Sequence, residues 1–539
     1  MDISGCSFSE LSYSKLFTTY INDFNELKSF YPYNPFSADD INKRAGLQSN
    51  SVDRKKVIEA LKDYHSRLGI ADAQTAQLNK LSQTDALAVV TGQQLGLYGG
   101  PVFTIYKTLS AIALARNYEE EIGKPVVPVF WMADEDHDFE EISWVGITGR
   151  DDFHKLMLNQ SGTEKPVFNE EFDDSLDKLK SDVKSAMFDT DFSEDLWQII
   201  DRHYKSGKSH GEAFAGFINE LFADEGLLIA GSNYEGLKRL LADDLSKSIT
   251  LADTIYEAVE NKSSELESLF HRQVMNGDSN LFYLDENLKR IKIHKEKEED
   301  AWRANDTHWS TQELVEHINE QPESFSPNVF LRPIIQDKLL PTLGYVAGPG
   351  ELAYYGQMRS LYEVYELEMP LIIPRYTATI IESGISRILE KLPFKVCEYD
   401  QRIEDLESAY VEQSDSVDLE EVFSEWKNKI EQAAEKPLEV IDGIDPTLDG
   451  TVGKTVAGFE NELNKLKGKV YRSIKQQEET QLKRIEKIKV NLFPDGGLQE
   501  RSVSPIYFMN KYGTDIWKKI LEEMMENGLD LSKHHLIEL

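Results

Sequence analysis

Five consecutive ionisable residues, Asp134, Glu135, Asp136, His137 and Asp138, lie inside the stretch FWMADEDHDFEE, residues 130–141. Carboxylates this close repel one another and raise one another's pKa, so such a run suits a place where a cation, an amine or a histidinium is received. His137 is a candidate general base, since an imidazole titrates near neutrality, and Asp136 is a candidate to orient it. Asp, Glu and His side chains also ligate Mg²⁺, Mn²⁺ or Zn²⁺, but neighbours in one loop seldom converge on one ion, and no metal site is assigned. A solvated acidic loop is the plain alternative.

A second stretch, VVTGQQLGLYGGP (residues 89–101), ends an apolar run in a loop with four glycines. It is not a P-loop, because Lys107-Thr108 comes seven residues after Gly100, and the GxGxxG spacing is absent. There remains a turn of Gly92, Gly96, Gly99 and Gly100 near a helix N-terminus, whose unobstructed N–H groups suit a phosphate or a carboxylate. Gln93 and Gln94 add neutral donors and acceptors, and Lys107, two turns into the helix, is placed to point back at the loop. The competing reading is a tight turn whose glycines serve close packing.

The third stretch, residues 326–363, carries Arg332 and Gln336 before an apolar segment, then Gly348-Pro349-Gly350-Glu351 opening a helix with Tyr354. Arg332 or Arg375 could clamp a carboxylate through two parallel hydrogen bonds. Gln336, Glu351 and Tyr354 join them as candidate substrate-binding groups.

These loops need elements to hold them. ALAVV, the glycine loop, a helical segment and PVVPVFWMA read as a βαβ unit with short, fully apolar strands, and open α/β sheets bind ligands at the strands' carboxyl ends. Further units are expected at GLLIAG (226–231) and at MPLIIPRYTATIIESGISRILEKL (369–392), with mixed, acidic insertions at about 140–225 and 250–330. The core thus spans residues 1–400.

After residue 400 the pattern changes. Residues 401–437 hold eleven acidic and four basic residues, with Leu419, Val422, Trp426 and Ile430 at helical spacing and Pro437 as the expected stop; residues 454–489 hold ten basic and five acidic ones. Val456, Phe459, Leu463, Leu466, Val470 and Ile474 recur three or four apart and resume at Leu482, Ile485 and Ile488. Two long helices of opposite charge joined by a turn-rich segment predict an antiparallel coiled coil over 401–490, with a stutter between Ile474 and Leu482. Two amphipathic helices packed on the core are the alternative. Residues 491–539 are expected to return the chain to the core.

Composition narrows the function. A net charge of −36 over 539 residues argues against nucleic-acid binding while leaving room for a small anion in a local basic cleft. The two cysteines, Cys6 and Cys397, offer neither a CxxC pair nor a zinc site, and we expect them to be buried or incidental rather than a disulfide framework. No apolar run spans a bilayer and the N-terminal residues lack a signal pattern, so a cytoplasmic protein is expected.

The motifs VVTGQQLGLYGGPVFTIYKT, PVFWMADEDHDFEE and RPIIQDKLLPTLGYVAGPGELAYYGQ, with the late LQERSVSPIYF, together resemble the bacillithiol biosynthesis cysteine-adding enzymes, or cysteine ligases, over essentially the whole chain. That resemblance implies a Rossmann-like, nucleotidyltransferase-like α/β core with helical connecting-peptide insertions, and a coiled coil that makes a homodimer. It also implies amide formation between the carboxyl group of cysteine and the amine of glucosaminyl-malate. Because a carboxylate does not acylate an amine unaided, ATP-Mg²⁺ is the candidate activating cofactor. Gly92, Gln93, Gln94, Gly96, Gly99, Gly100 and Lys107 would then face the phosphates, Asp136 and His137 the amine, and Arg332 and Arg375 the malate carboxylates. Two other classes compete: a metal-dependent amide hydrolase acting on a thiol conjugate, and a non-catalytic coiled-coil assembly factor.

Overall fold

A computed structural model describes residues 1–47, 52–296, 300–414, 419–445 and 449–539. Its central sheet has five parallel strands: β1 (Leu87–Gln93), β2 (Val126–Met132), β3 (Leu228–Ala230), β4 (Thr342–Ala347) and β5 (Leu371–Pro374). Their spatial order is β5-β4-β1-β2-β3. The direction of winding therefore reverses between β1 and β4, which opens a crevice beyond the carboxyl ends of those two strands.

The strands are covered on both faces, as their apolar runs demand. All seven residues of β2 and six of the seven in β1 are buried. Helix α1 (Val102–Ile122) links β1 to β2 and packs on both strands. It has so many buried positions, fourteen of twenty-one, that it reads as a core helix instead of a one-sided amphipathic one. At roughly 1.5–3 kcal/mol per fully buried large side chain, these layers supply the main force holding the crevice's floor.

The segment between β2 and β3 contains a hairpin, Trp144–Thr148 with Phe153–Met157, and the helices Ser175–Ala186, Ser193–His203 and His210–Phe222. Between β3 and β4 come the helices Ala242–Thr250 and Ala252–Leu269. A small antiparallel sheet follows, in which Leu281–Leu284 pairs with both Arg290–Lys292 and Phe325–Pro327. The β-like runs NLFYL and KRIKIH supply two of those strands. Helix α2 (Leu331–Leu339) leads into β4, and the short helix α3 (Pro349–Tyr355) follows it.

In the second half of the unit expected at 369–392, the strand Ala378–Ile381 leaves the central sheet and pairs with Lys533–Glu538, which also pairs with Asp2–Ser7. Cys6 and Cys397 are both buried, and neither is a free thiol. Their burial agrees with the expectation, while their not being free thiols departs from the reading against a disulfide.

By contact density the chain divides into one unit of Met1–Ile380 with Gln499–Ile537, and another of Ile381–Leu498 with Glu538–Leu539. The second unit is a helical hairpin of α4 (Leu419–Asp442), α5 (Asp449–Gln477) and α6 (Glu479–Leu492). Ion pairs cross it from the acidic to the basic helix, Lys467 to Glu420 at 2.5 Å and Lys427 to Glu460 at 3.8 Å. Pro437 does not close α4, which runs on to Asp442; a proline costs one helical N–H and can be carried inside a long helix. The spacing gap between Ile474 and Leu482 falls where α5 ends and α6 begins, at Glu478. It marks a helix break and not a stutter in one continuous helix. Part of the joining turn, 446–448, and residues 415–418 of the acidic stretch lie outside the described residues.

Candidate active site

The crevice holds a cavity of about 390 Å³ whose walls come from all three sequence stretches, Gly92, Gln93, Gln94 and Lys107, then Asp136 and Glu141, then Arg332, Glu351 and Tyr354, with Arg375 from just after β5. Arg501, from the C-terminal return, completes it. A second cavity of about 340 Å³ adjoins the first, lined among others by Trp131, Asp134, Glu135, Asp136, Phe282 and Arg290.

Lys107, in the second turn of α1, points back at the end of β1. Its ammonium donates to Gly92 O at 2.6 Å and Gln93 Oε1 at 3.0 Å, and forms an ion pair with Glu351. Burial pulls the Lys107 pKa below its ordinary value, partly offset by Glu351. For Glu351 burial acts in the opposite sense. Lys107, the Gly348 N–H at 2.7 Å and the Tyr345 hydroxyl at 2.7 Å outweigh it and hold the carboxyl below its ordinary value. Each partner thus keeps the other charged.

The glycine turn does not cradle a ligand. Gly96, Gly99 and Gly100 are absent from the cavity wall. Gly99 has φ +92°, and a Cβ there would meet Phe217 at 3.1 Å and Pro505 at 3.2 Å; one at Gly96 would come within 2.6 Å of Gly100 Cα. The first amide of α1, Val102 N–H, donates to Val503 O at 2.9 Å. The first amide of this helix N-terminus is therefore taken by protein, and Gly96 and Gly99 serve close packing. Gly92, on the strand itself, does line the cavity.

The acidic run is divided among different partners. Asp134 is buried, accepts from Tyr64 OH at 2.9 Å and from the Ser232 and Asn233 amides, and burial with the adjacent Glu135 raises it above the ordinary carboxylate range. Glu135 is also buried and pairs with Lys238 and Ser232 Oγ. Asp136 accepts from Gln94 Nε2 at 2.8 Å and the His137 amide at 2.8 Å, with Arg290 Nη1 at 3.5 Å. Burial would raise Asp136, but Arg290 and Gln94 prevail and hold it below its ordinary value. His137 is 40 % exposed, its Nδ1 lies 3.5 Å from Asp136, and it lines neither cavity. Of the two, only Asp136 reaches the cleft.

Two further expectations are corrected. Gln336 is fully buried on α2, one turn beyond Arg332; it donates to Asp337 at 3.0 Å and stays out of the cleft. Arg375 borders the cavity but is committed as a fork to Glu500, at 2.8 and 2.5 Å, and to Tyr376 O. It is a buried brace, not a free clamp. Arg332 fits the binding role better: it is partly exposed and donates to Tyr354 OH at 2.7 Å.

Three participants escaped the sequence reading. Arg290 reaches Asp136 from the small sheet, anchored by Ser326 Oγ at 2.8 Å and Pro327 O at 2.7 Å. Nothing near it in sequence marks it. Glu141 ends the acidic motif, and its carboxyl is raised above the ordinary value mainly by burial. Arg501 sits inside LQERSVSPIYF, and a lone arginine there carries no recognisable spacing.

Known proteins match this chain throughout. The family described as "Bacillithiol biosynthesis BshC, N-terminal Rossmann-like domain" matches residues 1–376, and that described as its C-terminal coiled-coil domain matches residues 378–539. A relative from Salinibacter ruber, named "Putative cysteine ligase BshC", is 31% identical over 512 residues, covering 93% of this chain and 92% of its own. One of the same name from Oceanobacillus iheyensis is 29% identical over 535 residues, with 97% of both chains covered. Another from Chloroherpeton thalassium is 31% identical over 511 residues, covering 92% and 90%. With both domain types matched in order along a parallel five-stranded core and a helical hairpin, the chain belongs to the BshC family of bacillithiol biosynthesis.

Proposed function

We propose that this chain is the cysteine ligase that its relatives' name describes, joining the carboxyl group of cysteine to the amine of glucosaminyl-malate as an amide. One observation carries the reading: a single cavity at the sheet's switch point is lined by the cations Arg332 and Arg501, by the mutually neutralised Lys107–Glu351 pair and by the carboxylates Asp136 and Glu141. Amide ligation needs both kinds of charge, cations for the acyl group with the substrate's carboxylates and a carboxylate for an amine that must lose a proton.

In the bond-forming step the amine nitrogen attacks the activated carboxyl carbon, the leaving group departs and one amine proton is released. Glu141, with its raised carboxyl pKa, is suited to take that proton, and the ionised Asp136 is suited to receive a substrate's ammonium. ATP-Mg²⁺, when bound, would supply the group that makes the carboxyl electrophilic. The residue fitted to hold such an anion is Arg332, while Arg501 is left for a carboxylate of glucosaminyl-malate. Lys107 already has three acceptors, and the glycine turn is filled by protein.

The test is mass spectrometry of the chain incubated with glucosaminyl-malate, cysteine and ATP-Mg²⁺, beside a reaction without nucleotide. Product mass appearing only with nucleotide supports the reading. Full turnover in the Asp136→Asn, Glu141→Gln double variant would remove the assigned roles. We further propose that the helical hairpin is the contact of a homodimer, since Trp426 and Phe459 are 48% and 58% exposed on it; a monomer by light scattering at micromolar concentration would overturn that.

A further inference from the structure

The two cavities share four wall residues, Ala133, Asp136, Val329 and Arg332. Two of the four carry opposite charges, one carboxylate and one guanidinium. Beyond this border the second cavity combines Trp131, Met132 and Phe282 with polar groups, among them Arg290, Ser232 and Asn328. Trp131 is 1% exposed, and its indole N–H is a buried donor without a protein partner. A buried donor left over at a cavity wall calls for an acceptor from outside the chain.

We infer that the amino-acid substrate binds astride this border, its ammonium on Asp136, its carboxyl toward Arg332 and the first cavity, and its side chain in the second cavity beside Trp131. The inference rests on the ligase reading for the identity of the amino acid, but its geometry comes from the cavities alone. An α-amino acid carries its two charges only about 2.5 Å apart, so it needs opposite charges on one narrow boundary.

The neighbouring carboxylates cannot take the ammonium. Asp134 is occupied by Tyr64 and two backbone amides, and Glu135 by Lys238 and Ser232. Asp136 is different: 36% of its side chain is exposed, and its one cationic contact, Arg290, is long at 3.5 Å. Arg290 makes its shorter bonds to Ser326 and Pro327 instead. The side-chain compartment, with Trp131 and Phe282 on its wall, suits a polarisable sulfur.

The test is calorimetric titration of the full chain with L-cysteine, L-serine and 3-mercaptopropionate, with and without glucosaminyl-malate. Asp136→Asn should weaken L-cysteine roughly tenfold or more, the loss of one charge-assisted hydrogen bond, while 3-mercaptopropionate, which lacks the ammonium, changes by less than about twofold. Trp131→Phe keeps an aromatic ring and removes the N–H. It should weaken both thiols about threefold to tenfold and leave glucosaminyl-malate binding intact, with melting curves showing that both variants are folded. Equal losses for cysteine and mercaptopropionate in Asp136→Asn, or no L-cysteine binding under either condition, would overturn the inference. Cysteine bound in this manner without product would instead overturn the ligase reading. Product formed with cysteine affinity indifferent to Asp136 would overturn the subsite alone.

Discussion

Replacing Glu500 by glutamine tests the brace behind the cleft. Glu500 and Arg375 are both buried, 0% and 3% exposed, and the guanidinium meets the carboxylate through two hydrogen bonds. The Ala378 amide adds a third bond to Glu500 at 3.2 Å. Removing one charge of such a pair leaves the other buried and uncompensated, a cost of about 3–5 kcal/mol, whereas replacing both with apolar groups of similar volume can be nearly neutral. Glu500→Gln keeps one acceptor oxygen and belongs at the lower end; Glu500→Ala belongs at the upper. In calorimetry a unit of this size converts roughly 1 kcal/mol into about 1 °C, so the melting point should fall by about 3–5 °C. Arg375→Met should behave alike, and the Arg375→Met, Glu500→Leu double variant should be more stable than either single one. For Glu500, burial raises the carboxyl pKa but Arg375 outweighs it, so the folded value lies below the ordinary one. The stabilisation is therefore present above about pH 4.3 and lost as pH falls through the lower folded value, so the gap between wild type and variant should hold from neutrality down and close in acid. Single-variant losses that add in the double within about 0.5 kcal/mol would refute the reasoning.

Gly99→Ala places a Cβ at positive φ against Phe217 and Pro505; it should cost about 1–3 kcal/mol in denaturant titration while leaving substrate affinity unchanged. Asp134 binds its proton more tightly folded than unfolded, because burial raises its pKa, so wild type loses stability as pH rises above about 4. Asp134→Asn should accordingly raise the melting point at pH 8 relative to wild type, with less difference at pH 5. Arg501→Met should raise KM for glucosaminyl-malate about tenfold, with the melting point unchanged, since Arg501 is exposed on the cavity wall. Glu141→Gln should lower kcat by about a hundredfold or more with little change in KM, as expected for a lost general base.

The strands could be read from the sequence because burial on both faces leaves no room for polar residues: ALAVV and PVVPVFWMA have no other good structural use. The same holds for the helical hairpin, where one helix is acidic and the next basic. The site was legible only where a loop leaves a core strand. Gln93 ends β1, Gln94 and Asp136 follow strand ends, and all three reach the cleft. The failures share a physical cause. Gly96, Gly99 and Gly100 satisfy the same local pattern whether backbone must approach a phosphate or another part of the protein, and only the tertiary neighbours, Phe217 and Pro505, decide. Gln336 and Arg375 were assigned by residue type, and type does not reveal that a partner such as Glu500, 125 residues away, already holds the side chain. Arg290 could not be found at all, because its role depends on a small sheet that brings it to Asp136 from 154 residues away.

That dependence on distant partners explains the late motif LQERSVSPIYF better than any local chemistry. After Ile380 the chain departs into the helical unit, and it resumes the first unit at Gln499. The side chain of Gln499 closes this excursion by accepting from Ile380 N–H at 2.8 Å and donating to Ile380 O at 2.9 Å, as a neighbouring strand would. Glu500, the next residue, neutralises Arg375 at the end of β5, and Arg501, the next, lines the cavity. One helical turn, Gln499–Ser502, thus docks on backbone, fixes a buried charge and presents a cation, in that order. A Gln499→Leu substitution would leave both atoms of the Ile380 peptide unpaired in a buried setting, at about 1–3 kcal/mol each, and should loosen the turn that presents Arg501. The expected signature is a rise in KM for glucosaminyl-malate together with faster amide exchange at Ile380. Faster exchange with an unchanged KM would show that Arg501 does not depend on this clamp for its placement.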